Sequence, residues 1–421
     1  MSPLTHRPRT VVRSLVVLLA AAVGLLIAVR PAEAATLQPV SSFGSNPGNL
    51  AMYVYRPDGL PANAPLVVAL HGCAQNANTY YTNSGWTKYA DRWKFALVFP
   101  EQRSANQSLS CFNWFTNGDI QRGQGEALSI RQMVDTAVSS YGLDATRVYV
   151  TGLSAGAAMT AVMLATYPDV FAAGSIVAGL PYGCAPANPT STCQYQGVDK
   201  TPQQWGDLVR NAFPGYAGPR PRVSIWHGTS DTTVVPANAT ELRDQWTNVL
   251  GLGPTPTSTV TLPASTAVEN YDSGGVTMVR VYRVSGMQHG LPVDPGAGLD
   301  QCGTAAAYFL DTICSAYRDA LFFGLDASGP TPSPSPSPSP SPSPSPTPSP
   351  TPSPTPTPSP STGPCVTASN WDQVAAGRAH VSLGSTFANG SNQAMGLWNT
   401  FVVHSLRQTG PNFYVLADGQ C

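Results

Sequence analysis

At 421 residues the chain is long enough for one large domain with accessory segments. It carries 22 Lys and Arg against 23 Asp and Glu, and charged residues are only 11% of the total, well below the roughly one quarter usual in globular proteins. So even a balance leaves no field to steer nucleic acid or an anionic surface, and neither is expected as a partner; a surface carried by Ser, Thr, Asn, Gln and Gly suits a neutral or insoluble substrate.

In chain order the first element is a leader. Arg7, Arg9 and Arg13 precede an apolar run from Leu15 to Val29, and Ala32-Glu33-Ala34 follows. Positive head, hydrophobic middle and small-x-small site are the parts of a secretory signal peptide over residues 1–34. The run, about 15 residues, is shorter than the roughly 20 that span a bilayer. The mature chain is therefore expected to begin near Ala35, to be secreted and extracellular, and to leave the membrane after cleavage. Eight cysteines fit an oxidising compartment. Their order invites local pairing of Cys73 with Cys111, Cys184 with Cys193, Cys302 with Cys314 and Cys365 with Cys421. Only the last pair, which brackets one short segment, is firm from sequence. With no CxxC pair and no Cys–His cluster at ligand spacing, no metal site is expected.

Residues 35–328 read as one α/β domain. Apolar strand-like runs occupy Leu66 to Leu70, Ala96 to Pro100, Val148 to Val150, Gly174 to Val177, Val223 to Trp226 and Val279 to Val284. Helix-like stretches fall between several of them, notably Gly125 to Tyr141 and Ala237 to Leu250. This alternation predicts a mostly parallel sheet covered on both faces, with function at the carboxyl ends of the strands.

The third of those runs leads directly into Gly152-Leu153-Ser154-Ala155-Gly156. Glycines flank the serine where a strand and a helix approach too closely for side chains, the strained elbow of the α/β-hydrolase fold. An ordinary glycine-rich turn with a capping serine has the same five residues, so the partners decide. A serine nucleophile needs a base and a carboxylate that orients the base. His71, His227 and His289 are the histidines between Ala35 and residue 329. In this fold the order is Ser, acid, His, and only His289 follows Ser154 with a candidate acid between them. His289 lies in Gly286-Met287-Gln288-His289-Gly290, just beyond a strand end, and is the expected base. For the acid, Asp231 directly follows the strand Val223 to Trp226, whereas Asp199, Asp207, Asp244 and Asp272 do not directly follow one. An aspartate capping the next helix competes with this role. Oxyanion donors are expected at the backbone N–H of Ala155 and, in the loop His71-Gly72-Cys73-Ala74-Gln75 after the first run, of Cys73. A Cys73–Cys111 bridge would bring Trp114 and Phe115 to the cleft or leave them packed beneath the loop. The chemistry is that of a serine esterase-type hydrolase and requires no cofactor.

From residue 329 to 364 the chain is almost entirely Ser-Pro and Thr-Pro. Such a segment cannot bury a core and stays extended, reaching up to ~100 Å at ~3.1 Å per residue; it is a linker between independent domains. Residues 365–421 form a module small enough to need a staple across its ends, the Cys365–Cys421 bridge. Its aromatics are Trp371, Phe387, Trp398, Phe401, Phe413 and Tyr414. Exposed, they would make a platform for an apolar polymer or for sugar rings; about half are expected to be core.

The segment from about Leu66 to His289 resembles the extracellular polyhydroxybutyrate (PHB) depolymerase family and the related secreted feruloyl and acetylxylan esterases. The resemblance rests on His71-Gly72-Cys73-Ala74-Gln75, Cys111-Phe112-Asn113-Trp114-Phe115, the Ser154 elbow, Trp226-His227-Gly228-Thr229-Ser230-Asp231 and Gly286 to Gly290. It implies Ser154 as nucleophile, Asp231 as acid, His289 as base, and oxyanion donors at Cys73 and Ala155. The tail, through Asn370-Trp371-Asp372-Gln373 and Met395-Gly396-Leu397-Trp398, resembles that family's substrate-binding module, with Trp371-Asp372 and Trp398 departing from its pattern and polymer-binding roles expected at Trp371 and Trp398. The expected function is hydrolysis of poly(3-hydroxybutyrate), the alternative a feruloyl or acetylxylan esterase; an inactive binding factor is a third class. The expected partner is an insoluble polyester or polysaccharide, and the enzyme a monomer. The resemblance and linker style imply a bacterial source, so the sequons at Asn106, Asn238 and Asn389 are read as coincidental.

Overall fold

The computed structural model describes Met1 and residues 35–326, 364–382, 385–397, 402–418 and 421. The expected leader beyond Met1, nearly all of the linker, Trp398 and Phe401 lie outside the described residues. The chain divides into two units, 1–335 and 336–421.

The first unit runs β1 (Gln38–Val40), β2 (Ala51–Tyr55), β3 (Leu66–Leu70), α1 (Ala77–Asn83), α2 (Trp86–Trp93), β4 (Ala96–Glu101), α3 (Gly125–Tyr141), β5 (Val148–Leu153), α4 (Ala155–Thr166), β6 (Ala173–Val177), α5 (Thr190–Tyr195), α6 (Pro202–Ala212), β7 (Arg222–Gly228), α7 (Ala237–Val249), β8 (Ser258–Leu262), β9 (Thr266–Ser273), β10 (Val276–Val284), β11 (Leu291–Val293), β12 (Phe309–Asp311) and α8 (Ser315–Phe323). Ten strands form one sheet in the order β1-β2-β4-β3-β5-β6-β7-β10-β9-β8. Its centre, from β4 to β10, is parallel, and antiparallel strands close both edges.

Every residue of β3 is buried because both faces are covered. Leu66, Val68 and Leu70 point to one core, which holds Ile130, Met133, Met159, Val209 and Leu242 from α3, α4, α6 and α7. Val67 and Ala69 point to the other, with Tyr80, Trp86, Tyr89 and Ala320 from α1, α2 and α8. Each large apolar side chain removed from water this way contributes about 1.5–3 kcal/mol. α4 runs through the middle with all twelve of its residues buried, which its Ala-rich, uncharged sequence permits. α8 is tied to the sheet by a polar contact: Asp319, buried, accepts from Ser175 Oγ (2.7 Å), Ser224 Oγ (2.8 Å) and Trp226 Nε1 (2.9 Å). Bridges join Cys73–Cys111, Cys184–Cys193 and Cys302–Cys314.

The second unit contains β13 (Cys365–Ser369), α9 (Asn370–Ala375), β14 (Ala379–Ser382), β15 (Ser385–Ala388), β16 (Ala394–Leu397), β17 (Val403–Gly410) and β18 (Phe413–Leu416). They pair as two small antiparallel sheets, β13-β17-β18 and β14-β15-β16, and Cys365 bonds to Cys421. The core is aliphatic: Ala379, Ala388, Met395 and Leu406, with Tyr414 packed against it. The expectation that about half of the six tail aromatics are core bears on four described residues, since Trp398 and Phe401 lie outside them. Among the described aromatics, Trp371 is 47% and Phe413 43% exposed, while Phe387 and Tyr414 are half-buried. Phe413 lies across Gly390, where a Cβ would meet its ring, so it covers backbone instead of entering the core.

Candidate active site

β5 ends at Leu153 and α4 begins at Ala155, so the chain reverses on Ser154 alone. Ser154 takes φ 56°, a left-handed conformation that costs a non-glycine residue energy. Its flanking glycines are obligatory. A Cβ on Gly152 would collide with the Gly156 carbonyl, and one on Gly156 with the carbonyls of Leu70 and His71. The elbow is thereby pressed against the end of β3, next to the loop that carries Cys73.

Two further loops meet the serine from strand ends. β7 ends in His227-Gly228, and the turn that follows carries Asp231; β10 ends at Val284, and the turn after it carries His289. The two turns are stitched together by Thr229 N to Val284 O (3.0 Å), Ser230 N to Met287 O (3.0 Å) and Gly286 N to Thr229 Oγ1 (2.8 Å). A Cβ on Gly228 would strike the Met287 carbonyl. Ser154, His289 and Asp231 are brought together: His289 Nε2 is 2.9 Å from Ser154 Oγ, and His289 Nδ1 is 2.7 Å from Asp231 Oδ2. The second carboxylate oxygen of Asp231 accepts from the N–H groups of Thr233 and Val234, both at 2.9 Å. Burial, the largest influence on this carboxyl, pushes its pKa up; the His289 hydrogen bond and charge, with Val234 N–H and His227, outweigh it and leave the group below its usual range. Asp231 therefore stays a carboxylate. Of the other aspartates, Asp207 pairs with Arg210, Asp244 with Arg243, and Asp272 with Thr257.

Above the serine lies a cleft of about 450 Å³. Trp114 and Phe115 both line it; Trp114 is also nearly buried and packs in the cluster around Cys184 and Cys193, so the two readings of that segment coexist. The Cys73–Cys111 bridge and the bond from Ala74 N to Leu109 O (2.7 Å) hold the two walls together. The rim carries Leu109, Tyr195 and Tyr308, exposed at 61%, 56% and 48%. Sequence reading does not find these three, since isolated apolar residues, in loops or at the end of a helix as short as α5, have no periodicity; only the nearby Cys193 marks the segment that holds Tyr195. That segment, α5, is anchored beneath by Asn238, whose buried Nδ2 donates to Cys193 O at 3.0 Å. A further group missed from sequence is Glu126 of α3. It is buried behind the cleft wall, where it accepts from Asn113 N and Asn113 Nδ2, both at 2.8 Å, and from Gln102 Nε2. Burial pushes its pKa up to about 8 against the pull of those donors.

Residues 50–258 match the family model described as Esterase PHB depolymerase. The chain is 52% identical over 303 residues to poly(3-hydroxyalkanoate) depolymerase C of Paucimonas lemoignei, covering 72% of this chain and 73% of that one. It is 38% identical over 278 residues to feruloyl esterase B of Talaromyces stipitatus, 64% of this chain and 76% of that protein. Among solved structures, an acetyl xylan esterase from Aspergillus awamori superposes with a TM-score of 0.59 at 30% identity, over 69% of this chain and 99% of the other. These relatives are carboxylic ester hydrolases on an α/β-hydrolase fold, and the chain belongs to the esterase PHB depolymerase family.

Proposed function

We propose that this protein hydrolyses the ester bonds of poly(3-hydroxybutyrate) through an acyl-enzyme on Ser154. The observation that carries the reading is the hydrogen-bonded run from Ser154 Oγ to His289 to Asp231 at 2.9 and 2.7 Å, facing an aromatic-lined cleft. His289 Nε2 takes the hydroxyl proton as Ser154 Oγ attacks the ester carbonyl. Asp231 holds the ring with Nδ1 protonated and stabilises the imidazolium. The tetrahedral oxygen is received by Ala155 N–H, an orphan donor of the first turn of α4, and by Cys73 N–H. His289 then gives its proton to the departing hydroxyl end of the polymer. Water, deprotonated by the same nitrogen, attacks the acyl carbonyl; His289 returns that proton to Ser154 Oγ as the acyl–serine bond breaks, releasing a 3-hydroxyacyl acid.

The 52% identity to a polyhydroxyalkanoate depolymerase supports the polyester. A second reading, an ester of a cell-wall polysaccharide, has the support of the 38% identity to a feruloyl esterase. On the first reading, residues 1–34 are a cleaved signal peptide, 35–328 the catalytic domain, 329–364 a spacer and 365–421 a polyester-binding module. The protein then acts outside the cell as a monomer. The exposed Trp371 supports a binding surface on the module.

The test is turbidity loss of a poly(3-hydroxybutyrate) granule suspension, run beside ferulate release from feruloylated arabinoxylan and acetate release from acetylxylan. Clearing with little ferulate or acetate is expected. Release of either without clearing would move the substrate to the plant cell wall.

A further inference from the structure

Tyr308 stands at the rim of the cleft, 48% exposed, on a turn that leads into β12. Phe309 N closes the turn by donating to Ala306 O at 2.9 Å. The φ of Tyr308 is 65°, while that of Ala307 is not positive, the pattern of a type II turn whose third residue favours glycine. Among the described residues Tyr308 is the one aromatic side chain on a left-handed backbone. For a bulky residue that conformation is strained. Burial of so exposed a ring offsets little of the strain, so the fold itself gives no reason to keep it.

The ring is held on a fixed mount. The Cys302–Cys314 bridge brackets the segment, Tyr308 O accepts from Leu291 N at 2.8 Å, and the neighbouring Phe309 is buried beside Tyr80. Gly290 permits the close approach, since a Cβ there would meet Tyr308 O at 2.9 Å. The turn is thereby fastened to the chain on the C-terminal side of His289. The Tyr308 and His289 rings stand nearly perpendicular, at 74°, with centroids 6.1 Å apart. His289 Nε2 is the nitrogen that faces Ser154 Oγ. In ester hydrolysis that nitrogen hands its proton to the departing oxygen, so the departing alcohol lies on the His289 side of the serine.

We infer that Tyr308 is a specificity-determining residue for the leaving-group side of the ester: its ring is the wall against which the departing alcohol packs beside His289. Beyond the scissile oxygen a 3-hydroxyalkanoate chain carries methyl and methylene groups, apolar surface that an aromatic ring accommodates. A ring already fixed in place loses little further freedom when the chain arrives. The strained turn is then the means of placing that ring at the cleft. The inference rests on the reading of Ser154 and His289 as the reacting pair.

Methyl butyrate and the butyryl ester of methyl 3-hydroxybutyrate form the same butyryl-enzyme, so they differ only on the leaving side. The measurement is kcat/KM for butyrate release from each by the full-length protein. Tyr308→Gly removes the ring and suits the left-handed backbone. It is expected to lower the ratio of kcat/KM on the hydroxybutyrate ester to that on methyl butyrate roughly tenfold, the scale of a lost apolar contact in an enzyme pocket. Its melting temperature should equal or exceed that of the wild type. Tyr308→Phe keeps the ring and should keep the wild-type ratio. An unchanged ratio in the Gly variant overturns the inference, whether both esters keep their rates or both slow alike. So does a melting temperature well below the wild type, which would make the ring a packing element. A Phe variant that behaves like the Gly variant sinks it as well, because the effect would then belong to the hydroxyl. Should Tyr308→Gly fail to fold, Tyr308→Asn, which also tolerates this backbone, is judged by the same ratio. Full hydrolysis of methyl butyrate by Ser154→Ala would defeat the nucleophile reading itself, whatever the Tyr308 variants do.

Discussion

His227 Nε2 stands 3.5 Å from Asp231 Oδ2, the same oxygen that receives His289 Nδ1 at 2.7 Å. The two histidines differ in what else they hold. His227 spends its Nε2 proton on Val234 O at 2.7 Å, and burial lowers its pKa, so it meets Asp231 as a neutral dipole. The charge of Asp231 is left for His289, and the turn that bears it is clamped from behind.

Asp231→Asn tests that arrangement. The amide oxygen can still accept from Thr233 and Val234 N–H, so the fold should hold. The amide NH2 would face His289 and favour the wrong tautomer. We expect kcat on a soluble ester to drop about 10,000-fold with little change in KM. A loss under tenfold, with an unchanged melting temperature, would remove Asp231 from the acid's role.

Gly156→Ala places a methyl group against the carbonyls of Leu70 and His71. Relief requires the elbow and the Cys73 loop to part. We expect a destabilisation of about 1–3 kcal/mol in urea unfolding, accompanied by a larger fractional loss of kcat than of melting temperature. Wild-type stability in this variant would contradict the close approach.

The parallel strands are legible in the sequence because burial on both faces writes them as short apolar runs, as at Leu66 to Leu70. β8 leaves no such mark: Ser258 to Val260 and Thr261 are exposed, and the strand is held by pairing with β9 instead of by burial. At the site, Ser154, Asp231 and His289 can be nominated because each directly follows a buried strand, where order along the chain carries information. The contacts of Glu126, Gln102 and His71 cannot be read that way, since they join residues 24 and 31 positions apart through a fold the local sequence does not encode. Which tail aromatics are core is not legible either, because composition does not say which face a ring occupies: of the described four, Trp371 on α9 and Phe413 on β18 are exposed while Phe387 and Tyr414 are half-buried.

The polar anchor of α8 gives a pH prediction. Burial raises Asp319 from 3.8 to about 6 against the hydrogen bonds of Ser175, Trp226 and Ser224. Between those values the native state binds more protons than the unfolded chain, so this group's contribution to stability is full at low pH and declines as pH rises through the window. Asp319→Asn, although destabilised overall, should lack that decline. Melting temperatures measured from about pH 4 to about pH 7 should diverge least at the upper end. Parallel curves for the two proteins would show that Asp319 does not titrate there.

Ending the chain at Asp326 tests the proposed division of labour. Turnover of a soluble p-nitrophenyl ester should be retained, because every residue at the serine precedes that point. Clearing of granules should slow, since adsorption through residues 365–421 is lost. An equal loss on both substrates would make the tail part of the catalytic fold.

The buried anchor beneath α5 bears on where this protein can be produced. Asn238-Ala239-Thr240 is a glycosylation acceptor sequence, and Asn238 Nδ2, the atom that would receive the sugar, points inward at Cys193 O and Val235 O. A eukaryotic secretory host attaches glycans as the nascent chain emerges, before α7 packs. A glycan there would hold α5, and Tyr195 with it, away from the cleft. Thr240→Ala, which erases the acceptor and spares the asparagine, should raise the yield of active enzyme from such a host, whereas in a bacterial one it costs only the hydrogen bond from Arg283 Nη2 to Thr240 Oγ1 (3.3 Å) and should leave the yield unchanged.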